Sequence, residues 1–344
     1  MSSDGRRAAT LALALLFAAP SLGAGESLSD TYHRISTSVV VIRARGQEVT
    51  ADGTVRFTET GSGVLISPDG KVATAAHVVH TMENINVEFL GEEPVAARVL
   101  ASEPLADISI LQVSVVPREA TVAKLVDSDL VRVGDPVFII GAPYGLSYSL
   151  SEGIISARWA ADTVTKDFPL AEFFQTDAVI NTGNSGGPMF TRAGELIGIV
   201  SHNITKSGGS EGLGFVVTAN TVKSLLVERN RGWFGVEVML VSGAMAQALN
   251  LPQAGGLLVK QVVRDSIGGR LGLKGGDRVG IVEGQHIVVG GDVLLKVQGV
   301  TITSADDRLK LRKVLETLQV GQDLRVTIFR GDKILELATT FTGF

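Results

Sequence analysis

From Ser38 to Val217 the apolar positions come in short runs closed by Gly, Pro, Asp or Asn. Ser38–Ile42, Gly61–Ile66, Lys71–Thr74, Ile85–Phe89, Ile108–Val113, Val137–Ile140, Ile154–Trp159, Leu196–Val200 and Gly214–Val217 each read as a strand with turn chemistry at its end. No amphipathic helix separates them, so the pattern predicts an antiparallel barrel or sandwich pair. A helix closes the region over Thr218–Val227, with Val222, Leu225 and Leu226 as its apolar face and Thr218 or Asn220 as N-cap. The polar stretch Glu228–Gly232 then marks a boundary. Beyond it the pattern is mixed. Ala244–Leu249 reads as a short helix, Gly256–Val262 as a strand, and Asp306–Leu318 as an amphipathic helix carrying Leu309, Val314, Leu315 and Leu318. Leu324–Phe329 and Ile334–Phe341 follow as two strands across Arg330-Gly331-Asp332-Lys333. Arg-Gly-Asp invites a cell-adhesion reading, but a polar hairpin turn accounts for it.

Composition agrees with a mostly β chain. Forty of 344 residues are glycine, and 45% are hydrophobic, enough for real cores. A net charge of −5 offers no basic face for nucleic acid. With no cysteine, disulfides, zinc–thiolate sites and thiol nucleophiles are excluded. The five histidines form no metal-binding spacing, and no phosphate-binding glycine loop is present, so neither metal nor other cofactor is expected. Arg6 and Arg7 precede an apolar run from Ala8 to Ala19, which Pro20 breaks. Residues 1–24 therefore read as a signal peptide cut near Gly23 or Ala24, with an uncleaved anchor as the alternative.

Three segments carry chemistry. Thr182-Gly183-Asn184-Ser185-Gly186-Gly187-Pro188 sets a serine on a flexible turn, where a nucleophile and converging backbone N–H groups can share a point. A plain glycine turn is the other reading of that segment alone. Thr74-Ala75-Ala76-His77-Val78-Val79 places a histidine among small residues, and Ala106-Asp107-Ile108-Ser109-Ile110-Leu111 an aspartate at the head of an apolar strand. Taken singly, His77 reads as a packed core histidine and Asp107 as a turn residue. Together the order His, Asp, Ser is one of three that build the same catalytic triad. His80 is expected one turn along on the surface, and His202 at the rim of a cleft.

With Glu195-Leu196-Ile197-Gly198-Ile199-Val200 and Gly212-Leu213-Gly214-Phe215-Val216-Val217, these segments resemble the HtrA/Deg family of chymotrypsin-fold serine proteases. The resemblance implies a mostly β fold: a chymotrypsin-like double β-barrel protease domain over 25–227, a linker at 228–232, and an α+β PDZ domain over 233–344. It further implies Ser185 as nucleophile, His77 as proton carrier and Asp107 as its orienter, with Gly183, Asn184 and Ser185 at the oxyanion hole. Asn184 has no charge to pair with a newly cut N-terminus, which points to control by loop ordering. Val179, with Ile199, Val200 and Ser201 as wall, is the expected specificity pocket. Asp177 sits at the wrong position to receive a basic side chain, so cleavage after small aliphatic residues is expected.

The resemblance to PDZ domains rests on Trp233-Phe234-Gly235-Val236, Ala254–Val259, Gly291–Gly299 and the final helix and hairpin. It implies capture of peptide C-termini, with Gly255, Gly256, Leu257 and Leu258 as the carboxylate loop and Leu311 and Leu315 facing the groove. Arg278–Gly290 exceeds the family's usual spacing and predicts an inserted hairpin. The resulting expectation is an exported, periplasmic, ATP-independent serine endopeptidase acting on unfolded proteins and peptides, as a homotrimer assembled around Tyr32 to Val40. A PDZ scaffold or chaperone with an idle protease fold, and a processing protease with a single substrate, remain as alternatives.

Overall fold

The computed structural model describes residues 26–228, 233–282 and 284–341. The expected signal peptide and most of the expected linker lie outside the described residues. A helix, α1 (Leu28–Ile35), leads into six antiparallel strands that close as a barrel: β1 (Val39–Thr50), β2 (Gly53–Leu65), β3 (Lys71–Thr74), β4 (Asn84–Phe89), β5 (Val95–Glu103) and β6 (Ile108–Val113). The second closed barrel holds β7 (Pro136–Gly141), β8 (Ser149–Trp159), β9 (Phe173–Thr176), β10 (Pro188–Thr191), β11 (Leu196–Asn203) and β12 (Gly214–Thr218). Helix α2 (Ala76–Val79) follows β3.

Strand periodicity divides the apolar side chains between cores. Val40, Ile42 and Ala44 fill the first barrel, while their neighbour Val39 joins a cluster between the barrels. In that cluster Phe138 and Phe190 lie with ring centroids 5.6 Å apart, and Ile108, Phe173 and Leu196 join them. Val137, Ile139, Phe174, Met189 and Val216 fill the second barrel. The two barrels thus share one interface core, and the cleft above it is where both contribute loops.

Three strands carry little signal in the sequence. β5 mixes three alanines with Arg98, Ser102 and Glu103, β9 spans only four residues, and β10 begins at Pro188 directly after the glycine turn. β1 and β2 also outrun the expected Ser38–Ile42 and Gly61–Ile66, because their distal halves form an exposed polar hairpin with nothing to alternate against. The expected helix after β12 is one α turn, α3 (Ala219–Val222), that widens into a π turn over Lys223–Val227; the Thr218 side chain caps it. Part of Tyr32 to Val40, expected to serve assembly, packs on its own chain, while His33 and Arg34 are exposed. Ile35 and Val39 are buried, and the Tyr32 hydroxyl donates to the Tyr148 carbonyl at 2.8 Å.

The C-terminal domain is a sheet in the order β13 (Val236–Ser242), β14 (Gly255–Val262), β17 (Val293–Val297), β19 (Asp323–Arg330), β20 (Lys333–Thr340), with β15 (Arg278–Val282) and β16 (Gln285–Val289) forming a separate antiparallel pair. β17 also pairs with β18 (Val300–Thr301), and β19 forms a hairpin with β20. Helices α4 (Gly243–Ala248), α5 (Ile267–Arg270) and α6 (Ala305–Glu316) flank the sheet. A capping box between Ser304 and Asp307 starts α6.

Arg330 is no adhesion ligand waiting in a turn. Its guanidinium grips the buried Asp292 carboxylate through Nε at 2.6 Å and Nη2 at 2.7 Å, and Asp292 also accepts the Lys274 N–H at 2.8 Å. Arg330→Met should therefore destabilise this domain by about 3 kcal/mol, because it leaves Asp292 buried without its cation. A urea titration followed by tryptophan fluorescence checks this; a loss under about 0.5 kcal/mol would refute it.

Candidate active site

His77 stands on α2, a single helical turn whose neighbours Ala75 and Ala76 are small enough to lie buried against the first barrel. Asp107 ends the 3-10 turn Pro104–Ala106 with a left-handed backbone (φ 53°), a conformation that aspartate tolerates better than most residues. That turn aims a buried carboxylate at α2. Asp107 accepts the His77 backbone N–H at 3.1 Å and lies 2.9 and 3.0 Å from Nδ1 of the ring. A neutral ring that donates Nδ1–H to Asp107 keeps Nε2 free as a base.

Ser185 comes from the second barrel, on the turn between Thr182 and Pro188. Two of its glycines are required by shape. Gly183 (φ 102°) would place a Cβ 2.1 Å from the Ala142 carbonyl oxygen, and Gly186 (φ 80°) one 2.1 Å from the Thr74 hydroxyl. Gly186 thus lies against Thr74 and Ala75, the residues that lead into α2. Among the described residues no backbone carbonyl accepts the N–H of Gly183 or Ser185, so both donors remain available to an oxyanion. The Ser185 hydroxyl rests on the Ser201 carbonyl at 3.4 Å and forms no hydrogen bond with His77. Apo active sites commonly tighten this link only around substrate.

Several expected residues sit elsewhere than the sequence suggested. The Ser201 side chain does not face the pocket: its hydroxyl donates to Asp107 beneath the triad, while its carbonyl lies beside the Ser185 hydroxyl. Ile199 and Val200 point into the interface and barrel cores, because alternate residues of β11 face opposite sides of the sheet. Val179 is half exposed, as a pocket residue needs to be. Asp177 accepts the Ile154 N–H at 2.7 Å and holds a loop. The Asn184 side chain turns inward, Nδ2 reaching the Val179 carbonyl at 3.4 Å, so it does not face an oxyanion.

His80 is not a surface residue. It lies between the domains, Nε2 donating to the Val236 carbonyl at 3.1 Å and Nδ1 2.8 Å from the Ser102 hydroxyl. His202 stacks on Phe215 (5.1 Å, 14°) and meets Ser201 through Nδ1 at 3.0 Å.

Ser62 was not singled out in the sequence, which offers no signal for it beyond a polar residue in an apolar strand. It makes four links. Its N–H donates to the Ser185 carbonyl (2.8 Å), its hydroxyl donates to Gly183 O (2.7 Å) and accepts Ala142 N–H (3.0 Å), and its carbonyl accepts the Thr74 hydroxyl (2.7 Å).

Comparison with known proteins agrees with this geometry. Residues 61–199 match the model of the trypsin-like peptidase domain, a span that contains His77, Asp107 and Ser185. A probable periplasmic serine endoprotease, DegP-like, of Pseudomonas putida (strain W619) is 34% identical over 286 residues, covering 81% of this chain and 55% of the relative. One from Brucella suis biovar 1 (strain 1330) is 33% identical over 300 residues, covering 85% and 54%. The HtrA-type protease AlgW, solved as a variant with a decapeptide, superposes with a TM-score of 0.56 at 26% identity, covering 93% of this chain and 98% of that one. AlgW with a tripeptide gives 0.53 at 28% identity, with the same coverage. The chain carries a trypsin-like peptidase domain and is similar to HtrA-type serine proteases over most of its length. It spans about half the length of the curated relatives it matches.

At this site the protonation of His77 is set by opposing effects. Burial disfavours the imidazolium, but the Asp107 hydrogen bond and charge, helped by Glu59, outweigh it and raise the pKa above the ordinary histidine value. A base must be neutral, so kcat/KM should rise with pH through a midpoint above about 6.5 and fall off on the acid side. Asp107→Asn should lower that midpoint and cut turnover by about 10⁴. A pH–rate profile of both proteins checks this; equal midpoints would overturn the assignment. Ser62→Ala should cost about 1–3 kcal/mol for each group left unsatisfied, Gly183 O and Ala142 N–H. Denaturant unfolding of the variant measures it.

Proposed function

We propose that the chain is an exported serine endopeptidase that cleaves unfolded proteins by an acyl-enzyme mechanism. The observation that carries this reading is the continuous chain Ser185–Ser201–Asp107–His77, with two free N–H donors beside the serine. On substrate binding Ser185 turns from the Ser201 carbonyl towards His77 Nε2, which takes its proton as Oγ attacks the scissile carbonyl. The Gly183 and Ser185 N–H groups hold the developing oxyanion. His77 then returns the proton to the leaving amine, and water repeats the sequence on the acyl-enzyme. Val179 supports cleavage after small aliphatic residues, since it offers no partner to a desolvated charge. The basic and apolar N-terminal pattern and the names of the curated relatives support periplasmic residence.

The second domain is proposed to take peptide C-termini at the free edge of β13 rather than on the glycine run once expected to do so. Gly255 to Leu258 lie within β14, which pairs with β13 on one side and β17 on the other. Beside β13 is a cavity of about 300 Å³ with Phe234, Val236, Leu257, Leu311 and Leu315 on its apolar side. Leu311 and Leu315, the expected groove residues, line this cavity. His80, Glu103, Pro104 and Leu105 of the first barrel close its far side, and Arg312 pairs with Glu103 at 3.0 Å. A peptide strand added to β13 competes with His80 for the Val236 carbonyl. This arrangement favours a regulated protease over an idle scaffold, because the groove meets the helix that carries His77.

The test is degradation of a fluorescent unfolded protein by residues 25–344 beside Ser185→Ala, with mass spectrometry of the products. Loss of turnover by about 10⁶, with cuts after Val, Ala or Ile in the parent, is expected. Equal cleavage by both proteins would sink the nucleophile assignment, and one dominant cut in a protein mixture would favour a processing role. Burial holds the His80 pKa below the ordinary histidine value, only partly offset by the Val236 hydrogen bond. A lowered histidine contributes stability above its unfolded pKa of about 6.5 and loses it as pH falls through the folded value. Acidification below pH 6 should therefore tighten binding of a hydrophobic C-terminal peptide, and His80→Ala should remove that pH dependence, read by fluorescence anisotropy.

A further inference from the structure

Next to His77 lies a cleft of about 640 Å³ that the first barrel and the C-terminal domain line together. Its floor is His77, Thr81 and Met82. One wall is the exposed hairpin of β1 and β2. The other belongs entirely to the second domain: Glu237 and Lys260 to Val262 from the β13–β14 pair, Gly275 to Asp277 from the segment that leads into β15, and Val288 from the inserted hairpin. β15 of that hairpin packs against β1, so the insertion reaches across to the protease.

The register of β1 and β2 sorts charge by face. Ala44 pairs with Glu59, Gly46 with Phe57 and Glu48 with Val55, whereas Arg43, Arg45 and Arg56 occupy the intervening pairs. Paired residues point to the same side and successive pairs alternate, so Glu48, Phe57 and Glu59 share one face and the three arginines the other. All three members of the first set line the cleft. On the opposite wall Glu237 is neutralised by Lys260, and Asp277 lies 3.4 Å from Arg278. Glu48 and Glu59 carry no such ion pair among the described residues, which leaves the cleft negative. Phe57, Met82, Val262 and Val288 give it apolar flanks, suited to the methylene stem of a long basic side chain.

Direction along the substrate follows from the chemistry. The residue before the cut is held on the second barrel, near Val179 and the Ser185 turn. His77 delivers a proton to the leaving amine, so the departing segment runs off over His77 and into this cleft.

We propose that the cleft between the β1–β2 hairpin and the second domain binds the leaving segment of the substrate, with Glu48 and Glu59 selecting Lys or Arg within the four residues after the cut. This rests on the catalytic reading of His77 and Ser185 given above. The inserted hairpin is then a substrate-contacting wall of the protease, a role separate from C-terminal peptide capture at β13.

The experiment uses quenched peptides with a fixed Val before the cut and Lys, Ala or Glu at each of the four following positions. Rates are expressed per enzyme titrated by a fluorophosphonate. Lys should be cut about three- to tenfold faster than Glu at one or more of these positions in low salt, and the ratio should shrink towards one in 0.5 M NaCl. Glu48→Gln/Glu59→Gln should compress the same ratio in low salt. Replacing residues 278–289 by a short glycine–serine link should raise KM more for peptides with four leaving residues than for an ester whose leaving group is a small chromophore. No Lys/Glu ratio in titrated parent enzyme, or a ratio that survives in the double variant, would overturn the assignment. Failure of the parent to react with the fluorophosphonate would bring down the catalytic reading and this one with it.

Discussion

The site depends on one buried serine from the barrel that does not carry the nucleophile. Ser62 joins β2 to the Ser185 turn through its N–H and hydroxyl, to β7 through Ala142 N–H, and to β3 through Thr74. Every one of these partners is a polar group held out of water, so each bond left unmade carries a desolvation cost. The nucleophile turn therefore has one low-energy position, fixed by both barrels at once. Glycine at 183 and 186 permits the close approach, and Ser62 makes it stable. Neither half of the cleft defines the turn without the other.

Against that fixed frame, three histidines have three fates. Burial lowers the affinity of His80 and His202 for a proton, while Asp107 raises that of His77. Ser201 is the hinge of this separation. Its hydroxyl donates to Asp107, so His202 Nδ1 approaches it as an N–H donor, and burial disfavours the imidazolium form of His202. The carboxylate is thereby shared between His77 and a neutral neighbour rather than between two cations. Proton transfer at the site is confined to one imidazole.

Much of this was legible in the sequence, and the reasons for the gaps are physical. Lys71–Thr74 and Ile108–Val113 appear with the boundaries their apolar runs suggest, because both are buried strands with turn residues at their ends. β9 and β10 have too few residues to show a period, and the β1–β2 hairpin beyond the barrel has no core to alternate against. The triad residues stood out through small neighbours and glycines, which are local properties. Ser201 and Ser62 did not, since a serine in a strand looks the same whether it faces a carboxylate or a backbone carbonyl. His80 was misplaced for a related reason: its surroundings are supplied by Val236 and Trp233, more than 150 positions later. Gly255 and Gly256 read as a loop because glycine favours loops; here they admit the backbones of Thr303 and Leu294 close to a central strand.

Helix α2 ends in carbonyls that its own length leaves without partners. Trp233 Nε1–H donates to the His80 carbonyl at 2.8 Å, and Gln261 Nε2 donates to that of Thr81 at 3.0 Å. Both donors come from the C-terminal domain, so the segment bearing His77 is finished by a different folding unit from the one that begins it. The two domains are consequently poor candidates for exchange as independent modules. A recombinant that joins this protease to another peptide-binding domain inherits an open helix end three residues from its base, unless the incoming domain brings an equivalent tryptophan and amide.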